Sequence, residues 1–210
     1  MKIAVVGAAG MVGSRVINEA VRRGHDLVAV FRKEPTAAPP PGVIAVRGDA
    51  DDPGHMSGLF TGSDAIVAAT RPAPGHEGAA VRTTTALLSA AEAVRTRILV
   101  VGGAAPLRHP GHSDRLVLDS PEYVPEPFRA IAAASAAQLD VCRAHSADWV
   151  YLSPPALLEP GHRTGTYRRG TTTLITTADG ASRISAEDLA VAVLDELESP
   201  GGDAHFTVGY

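Results

Sequence analysis

The segment Gly7-Ala8-Ala9-Gly10-Met11-Val12-Gly13 constrains this chain more than any other. It follows a continuous apolar run, Ile3–Val6, of the kind that forms a strand covered on both faces. It opens a helical pattern over Met11–Arg23, where Met11, Val12, Val16, Ile17 and Val21 recur near the 3.6-residue period and Gly24 is a natural stop. Strand, glycine turn and helix in that order aim free backbone N–H groups and the positive end of a helix dipole at one point, which suits a diphosphate. Gly7 permits the tight turn, Gly10 lets the backbone approach a pyrophosphate, and Gly13 allows close helix–strand packing. Glycines also end ordinary strands, so the placement carries the inference: a dinucleotide loop with Gly7, Ala9, Gly10, Met11 and Val12 as its contacts.

The same alternation continues along the chain. Leu27–Phe31, Val43–Val46, Asp64–Ala69, Ile98–Val101 and Trp149–Leu152 read as further strands, and Glu77–Val94 and Ala130–Ala144 as helices. This order predicts an α/β fold: a Rossmann-like, doubly wound parallel sheet with helices on both faces. The final third departs from the rhythm. Thr171–Thr177 is a Thr-rich strand candidate and Ala204–Val208 a short closing strand. Ser185–Leu197 is a helix with Ser185 as N-cap and Asp188 three residues on, an approximate capping box. The expected organisation is a single NAD(P)-binding domain over residues 1–210, with roughly 154–184 and 199–210 forming a small C-terminal substrate lobe. Pro35–Gly42 reads as a surface loop rather than a linker.

Composition excludes several classes. The single cysteine, Cys142, rules out an internal disulfide framework and a multi-thiolate zinc site. A net charge of −4, with no basic patch interleaved with aromatics, argues against nucleic acid and anionic membrane as partners. No apolar run reaches the ~18 residues of a transmembrane helix, and no secretory leader is read. The expectation is a soluble cytoplasmic protein, a monomer or homodimer, whose partner is a small-molecule substrate.

The end of the second strand bears on nucleotide type. An acidic residue there would take the ribose 2′-hydroxyl of NAD. This chain has Phe31-Arg32-Lys33 instead. An Arg fork holds a 2′-phosphate in two hydrogen bonds and Lys33 adds a second charge, so NADP(H) is favoured over NAD(H); two solvated surface cations are the plainer reading. After the third strand, Asp49 and Ala50 fit the adenine, although Asp49 and Asp51 equally suit capping of a helix starting near Pro53. Ala69, Thr70 and Arg71 end the fourth strand, where small residues let a cofactor cross the sheet edge.

With these residues placed, the chain resembles the atypical short-chain dehydrogenase/reductase superfamily, in its NAD(P)H-binding, NmrA-like branch that includes flavin and biliverdin reductase-like proteins. The resemblance extends to Val100–Ala104, Asp148–Pro155, Pro160–Arg168 and Ser182–Ala190, and it points to a bacterial group. It implies that the loops after strands four, five and six form the nicotinamide and substrate end, with Gly102, Ser153 and Pro154 on the cofactor.

The departures matter as much. Active short-chain dehydrogenases usually carry Tyr-x-x-x-Lys on the helix after strand five, and Arg129–Gln138 contains neither residue. Gly102-Gly103-Ala104 stands where a Ser or Thr is expected, and Ser135 falls where some relatives carry a His. A simple ketone needs a proton donor worth ~10²–10⁴ in rate, whereas a flavin or quinone delocalises the incoming charge and takes its proton from water. The expected function is hydride transfer from NADP(H) to a conjugated acceptor; the alternatives are a non-catalytic dinucleotide sensor and a biosynthetic isomerase, dehydratase or cyclase. Ser135 and Tyr123 are the candidate catalytic side chains, each with a plainer packing role. His109, His112 and Asp114 have metal-like spacing but lie in a Pro/Gly-rich loop, so no metal is expected. Cys142 and Trp149 read as core. Arg163 either attracts an anion or holds a turn, with the turn favoured.

Overall fold

A computed structural model describes residues 1–34 and 39–210; of the Pro35–Gly42 loop, residues 35–38 lie outside the described residues. The elements run β1 (Lys2–Val6), α1 (Met11–Arg22), β2 (Asp26–Phe31), β3 (Val43–Arg47), α2 (Pro53–Phe60), β4 (Ala65–Ala68), α3 (Ala79–Ala93) and β5 (Ile98–Val101). They continue with β6 (Arg108–His109), β7 (His112–Leu116), α4 (Arg129–Ala144), β8 (Trp149–Ser153), β9 (Leu157–Glu159), β10 (Arg168–Gly170), β11 (Arg183–Ser185), α5 (Ala186–Glu198) and β12 (His205–Gly209).

The main sheet has the order β10-β12-β8-β5-β4-β1-β2-β3. All of its pairings are parallel except β10 with β12 at one edge. Alternating side chains divide the apolar strands between two cores. Ile3 and Val5 pack with Val16, Ile17, Leu189 and Val193 under α1 and α5. Ala4 and Val6 pack with Met56, Phe60, Leu87, Leu88 and Leu139 under α2, α3 and α4. Both faces are therefore buried, as the unbroken apolar strands require. The chain passes from β1 outward to β3 and then returns to β4 on the other side of β1. The strand order thus reverses beside the glycine loop, where open α/β sheets bind ligands. No helix among the described residues is long and apolar enough to cross a membrane.

Between β5 and α4 the chain forms the β6–β7 hairpin, over a satellite cluster of Leu107, Val117, Val124 and Leu174. A parallel pair, β9 with β11, stands apart from the main sheet. β12 joins that sheet directly.

Three local expectations are corrected. Thr171–Thr177 forms no strand: residues 168–170 take the free edge of β12, and Thr173 makes only an isolated bridge to Arg108. Leu174 is drawn instead into the satellite cluster, and its neighbours' backbone clamps Arg108, whose N–H donates to the Thr172 carbonyl at 2.7 Å. The cap of α2 is Asp52, which accepts from the His55 N–H, rather than Asp49 or Asp51. Asp49 accepts from the Asp51 N–H at 3.0 Å, and Asp51 accepts from Thr83 at 2.5 Å and Arg82 at 3.0 Å, tying this turn to α3. Ser185 does cap α5, accepting from the Asp188 N–H, but the box does not close. The Asp188 carboxylate instead accepts from the N–H groups of Thr164 and Gly165 at 2.9 and 2.8 Å, and from the Thr164 and Tyr210 hydroxyls at 2.6 Å each.

Candidate functional site

The glycine loop has the geometry its sequence requires. Gly7 sits at φ +86°, and a Cβ there would overlap the Ala69 carbonyl of the neighbouring loop. A Cβ on Gly13 would overlap the Gly7 carbonyl, so α1 lies against the turn as only glycine permits. Gly10 is the N-cap of α1; its N–H donates to the Gly7 carbonyl at 2.8 Å. No side chain caps α1, and its first turn carries no acidic residue. Ala9 and Gly10 are exposed, while Met11 and Val12 are half-buried. The first amides of the helix are thus offered outward with the dipole unopposed, a cradle that fits a diphosphate.

Strand register sets the rest of the edge. Val6 pairs with Val30 on one side and Ala68 on the other, which brings the residues just past β2 and β4 level with Gly7. Arg32 and Lys33 follow β2 and are exposed; Arg71 follows β4 and is exposed beside half-buried Ala69 and Thr70. Asp49 is exposed past β3, and half-buried Ala50 packs on the core under α2 and α3. Val101 pairs with Leu152, setting Gly102 beside Ser153. The fold therefore gathers the loops carrying Gly7, Arg32, Asp49, Ala69, Gly102 and Ser153 along one edge of the sheet.

Past β5, side chains from neighbouring elements fill the space. A Cβ on Gly102 would overlap the Tyr151 ring, and one on Gly103 would come within 2.8 Å of Ser135 Oγ. Tyr151 is fully buried, with its hydroxyl 2.8 Å from the Ser135 carbonyl and 3.1 Å from Gln138 Oε1. Gln138 Nε2 in turn donates to Thr84 Oγ1 at 2.9 Å. Burial pushes the Tyr151 hydroxyl far above the ordinary tyrosine range, so it is a fixed donor rather than an acid. Sequence reasoning missed this network. The paired glycines were its available signal, since backbone without side chains leaves room for something bulky behind it.

The remaining candidates are placed as follows. Ser135 Oγ donates to the Ala132 carbonyl at 2.8 Å and abuts Gly103. Tyr123 packs on the satellite cluster with its ring 5.6 Å from that of His109; burial, then the nearby Glu122 charge, push its hydroxyl upward. His109 Nδ1 accepts from the Gly111 N–H at 3.0 Å, so Nε2 carries the proton and donates to Glu122 at 2.5 Å. Both of its nitrogens are engaged, and no group of three or more metal-ligating side chains is found among the described residues. Ser153 is fully buried with Oγ 2.9 Å from His205 Nε2. Burial pushes the Cys142 thiol up to about 12, leaving it unreactive at neutral pH. Trp149 is half-buried against the core. Arg163 grips Glu19 of α1 with both arms, at 2.7 and 2.9 Å, in a structural pairing.

A family model described as NAD(P)H-binding matches residues 7–200. YwnB, an uncharacterised protein of Bacillus subtilis (strain 168), is 36% identical over 203 residues, which span 95% of this chain and 93% of YwnB. Among solved structures, a candidate epimerase from Bacteroides thetaiotaomicron is 32% identical with a TM-score of 0.89, covering 100% of this chain and 96% of its own. A candidate NADH-flavin reductase from Streptococcus pneumoniae TIGR4 is 29% identical with a TM-score of 0.89, covering 100% and 99%. The glycine cradle, the strand reversal beside it and these likenesses agree, and the chain belongs to the NAD(P)H-binding family.

Proposed function

We propose that the protein is an NADP(H)-dependent oxidoreductase that reduces a conjugated small molecule, such as a flavin or quinone. When bound, the dinucleotide supplies a hydride from nicotinamide C4. Gly7, Ala9, Gly10, Met11 and Val12 would hold its diphosphate, with Asp49 and Ala50 beside the adenine. Exposed Arg32 and Lys33, which make no ion pair among the described residues, would take the 2′-phosphate. Ala69, Thr70 and Arg71 would line the crossing, and Gly102, Ser153 and Pro154 the nicotinamide end, Ser153 through its backbone because its hydroxyl faces His205.

One observation carries the acceptor class. Past β5 the site offers bare glycine backbone, walled by Tyr151 and Ser135, whose hydroxyls are both committed to carbonyls. Such a site would stack two planar rings, and neither of these two hydroxyls is free to protonate an alkoxide. A conjugated acceptor needs none, because its charge is delocalised and water delivers the proton. The Streptococcus pneumoniae protein's description as an NADH-flavin reductase supports the same class.

Anaerobic mixing of the protein with NADPH and a panel of FMN, FAD, a quinone and a simple ketone tests the proposal. NADPH oxidation is expected with the conjugated acceptors and not with the ketone. Tight NADPH binding without oxidation by any acceptor would sink it and leave a dinucleotide sensor.

A further inference from the structure

The start of α4 overhangs the glycine backbone past β5. β8 pairs parallel to β5, so α4, which leads into β8, carries the chain back across the sheet and begins at the edge where β5 ends. Ser135, on the second turn of α4, abuts Gly103. Phe128 directly precedes the helix and already has helical φ and ψ of −101° and 0°. From Phe128 to Ser135 is two turns, so the two positions lie about 20° apart around the helix axis and about 10 Å apart along it. Phe128 therefore stands on the stripe of α4 that faces Gly103, farther out from the sheet edge.

The ring is also left uncovered. Phe128 is 56% exposed, whereas Phe60 and Phe206 are fully buried, and it packs into none of the three apolar clusters among the described residues. Scattered exposed apolar side chains are ordinary, so the placement carries the inference. Pro125 and Pro127 stiffen the approach, and a single 3-10 turn over Glu126–Phe128 presents the ring, with the Phe128 N–H donating to the Pro125 carbonyl at 2.9 Å. Little backbone freedom is left to lose when a ligand settles on it. Ala132, between Phe128 and Ser135, packs on the satellite cluster and closes one flank of the stripe. Leu157, 48% exposed, follows β8 from the same edge and adds apolar surface there.

We propose that Phe128 sets acceptor specificity by stacking on the far ring of a fused-ring acceptor whose reacting ring lies over Gly102 and Gly103. This rests on the hydride-transfer reading, which puts the nicotinamide at those glycines. An acceptor that touches both ends must cover about 10 Å, the rise of two helix turns. A flat three-ring system reaches that far and a single ring does not. Stacking on Phe128 then favours long planar acceptors, and a one-ring quinone takes hydride without meeting it.

Riboflavin and the one-ring quinone duroquinone are suitable probes of the full chain. Riboflavin fluorescence, titrated with protein saturated in NADP⁺, reads binding without turnover, and NADPH oxidation reads turnover. Phe128→Ala is expected to weaken riboflavin binding and raise its KM about tenfold, while kcat/KM for duroquinone and the affinity for NADPH stay as in the wild type. Phe128→Tyr should keep wild-type riboflavin binding. No riboflavin binding by the wild type, unchanged binding in Phe128→Ala, equal losses for the two acceptors, or a wild-type dimer that Phe128→Ala dissociates in sedimentation would overturn the assignment. Riboflavin that binds but is never reduced by NADPH would count against the hydride-transfer reading alone, with the titration still deciding whether Phe128 holds the ring.

Discussion

Two side chains bound the space past β5, where the proposed reading puts the nicotinamide, and neither belongs to the glycine loop. Tyr151 and Ser135 occupy the space that a side chain at position 102 or 103 would need. A Ser at 102 could not be accommodated without moving a ring that is fully buried. The Tyr151 hydroxyl serves structure, bridging β8 to the Ser135 carbonyl and to Gln138 of α4. Tyr151→Phe should cost about 1–3 kcal/mol in urea unfolding, because buried acceptors lose their donor. NADPH binding should persist, since the hydroxyl is engaged by the Ser135 carbonyl and Gln138 rather than offered to a ligand. Farther along the same edge, Arg32 is exposed directly past β2 and makes no ion pair among the described residues, and the proposed reading puts the 2′-phosphate on its fork. Arg32→Ala is expected to weaken NADPH tenfold or more while changing NADH little; fluorescence titration with both nucleotides measures the ratio. An equal loss for both would place the 2′-phosphate elsewhere.

At the scale of elements, the segment after β9 shows how a surface loop gains a fixed shape. Asp188, in the first turn of α5 and fully buried, gathers two N–H groups and two hydroxyls from Thr164, Gly165 and Tyr210. Glu187 beside it accepts from the Gly161 N–H at 2.7 Å and from Arg15 of α1 at 2.8 Å. Adjacent acidic residues of one helix turn thus strap residues 161–165 down and join α5 to α1. Asp188→Asn keeps the shape but loses the charge and the full set of acceptors, so a cost of about 1.5–3 kcal/mol is expected. Proteolysis should then open the strap before the sheet, which limited digestion with mass spectrometry would show. The helix start at Ser185 was legible because a cap is a local signal. The strap was not, because its donors lie more than twenty residues from the carboxylate. The Thr-rich run 171–177 misled for a related reason: β-propensity describes fitness for a pleated surface, and the edge it would have joined was already taken by residues 168–170.

Taken whole, the molecule is readable from its sequence wherever the cause is local. The apolar runs of β1, β2, β4 and β5, and the glycines that let α1 approach the sheet, act within a few residues. They make the sheet parallel and put the glycine turn at the edge where open α/β sheets bind ligands. What escaped were buried polar contacts between distant segments, such as Ser153 with His205 and Gln138 with Thr84. Those contacts also set how stability responds to acid. His205 is held neutral with its pKa lowered to about 4, so the unfolded chain binds a proton that the folded chain refuses. Its contribution is full above the unfolded value of ~6.5 and is lost as pH falls from there toward 4. Asp188 acts in a lower window. Burial raises its pKa, but the hydrogen bonds from Thr164, Tyr210 and the backbone outweigh that and hold it below the ordinary aspartate value. Its stabilisation is present above the unfolded ~3.9 and disappears as pH falls further. Urea melts between pH 7.5 and 3 should therefore show two declines, one from about pH 6.5 and one below about pH 4. His205→Gln should flatten the first decline and leave the second; Asp188→Asn should leave the first and only shrink the second, because Glu19, Asp51 and Glu187 are also held below the ordinary carboxylate range by their hydrogen-bond and arginine partners. A first decline unchanged in His205→Gln would mean that another group supplies it.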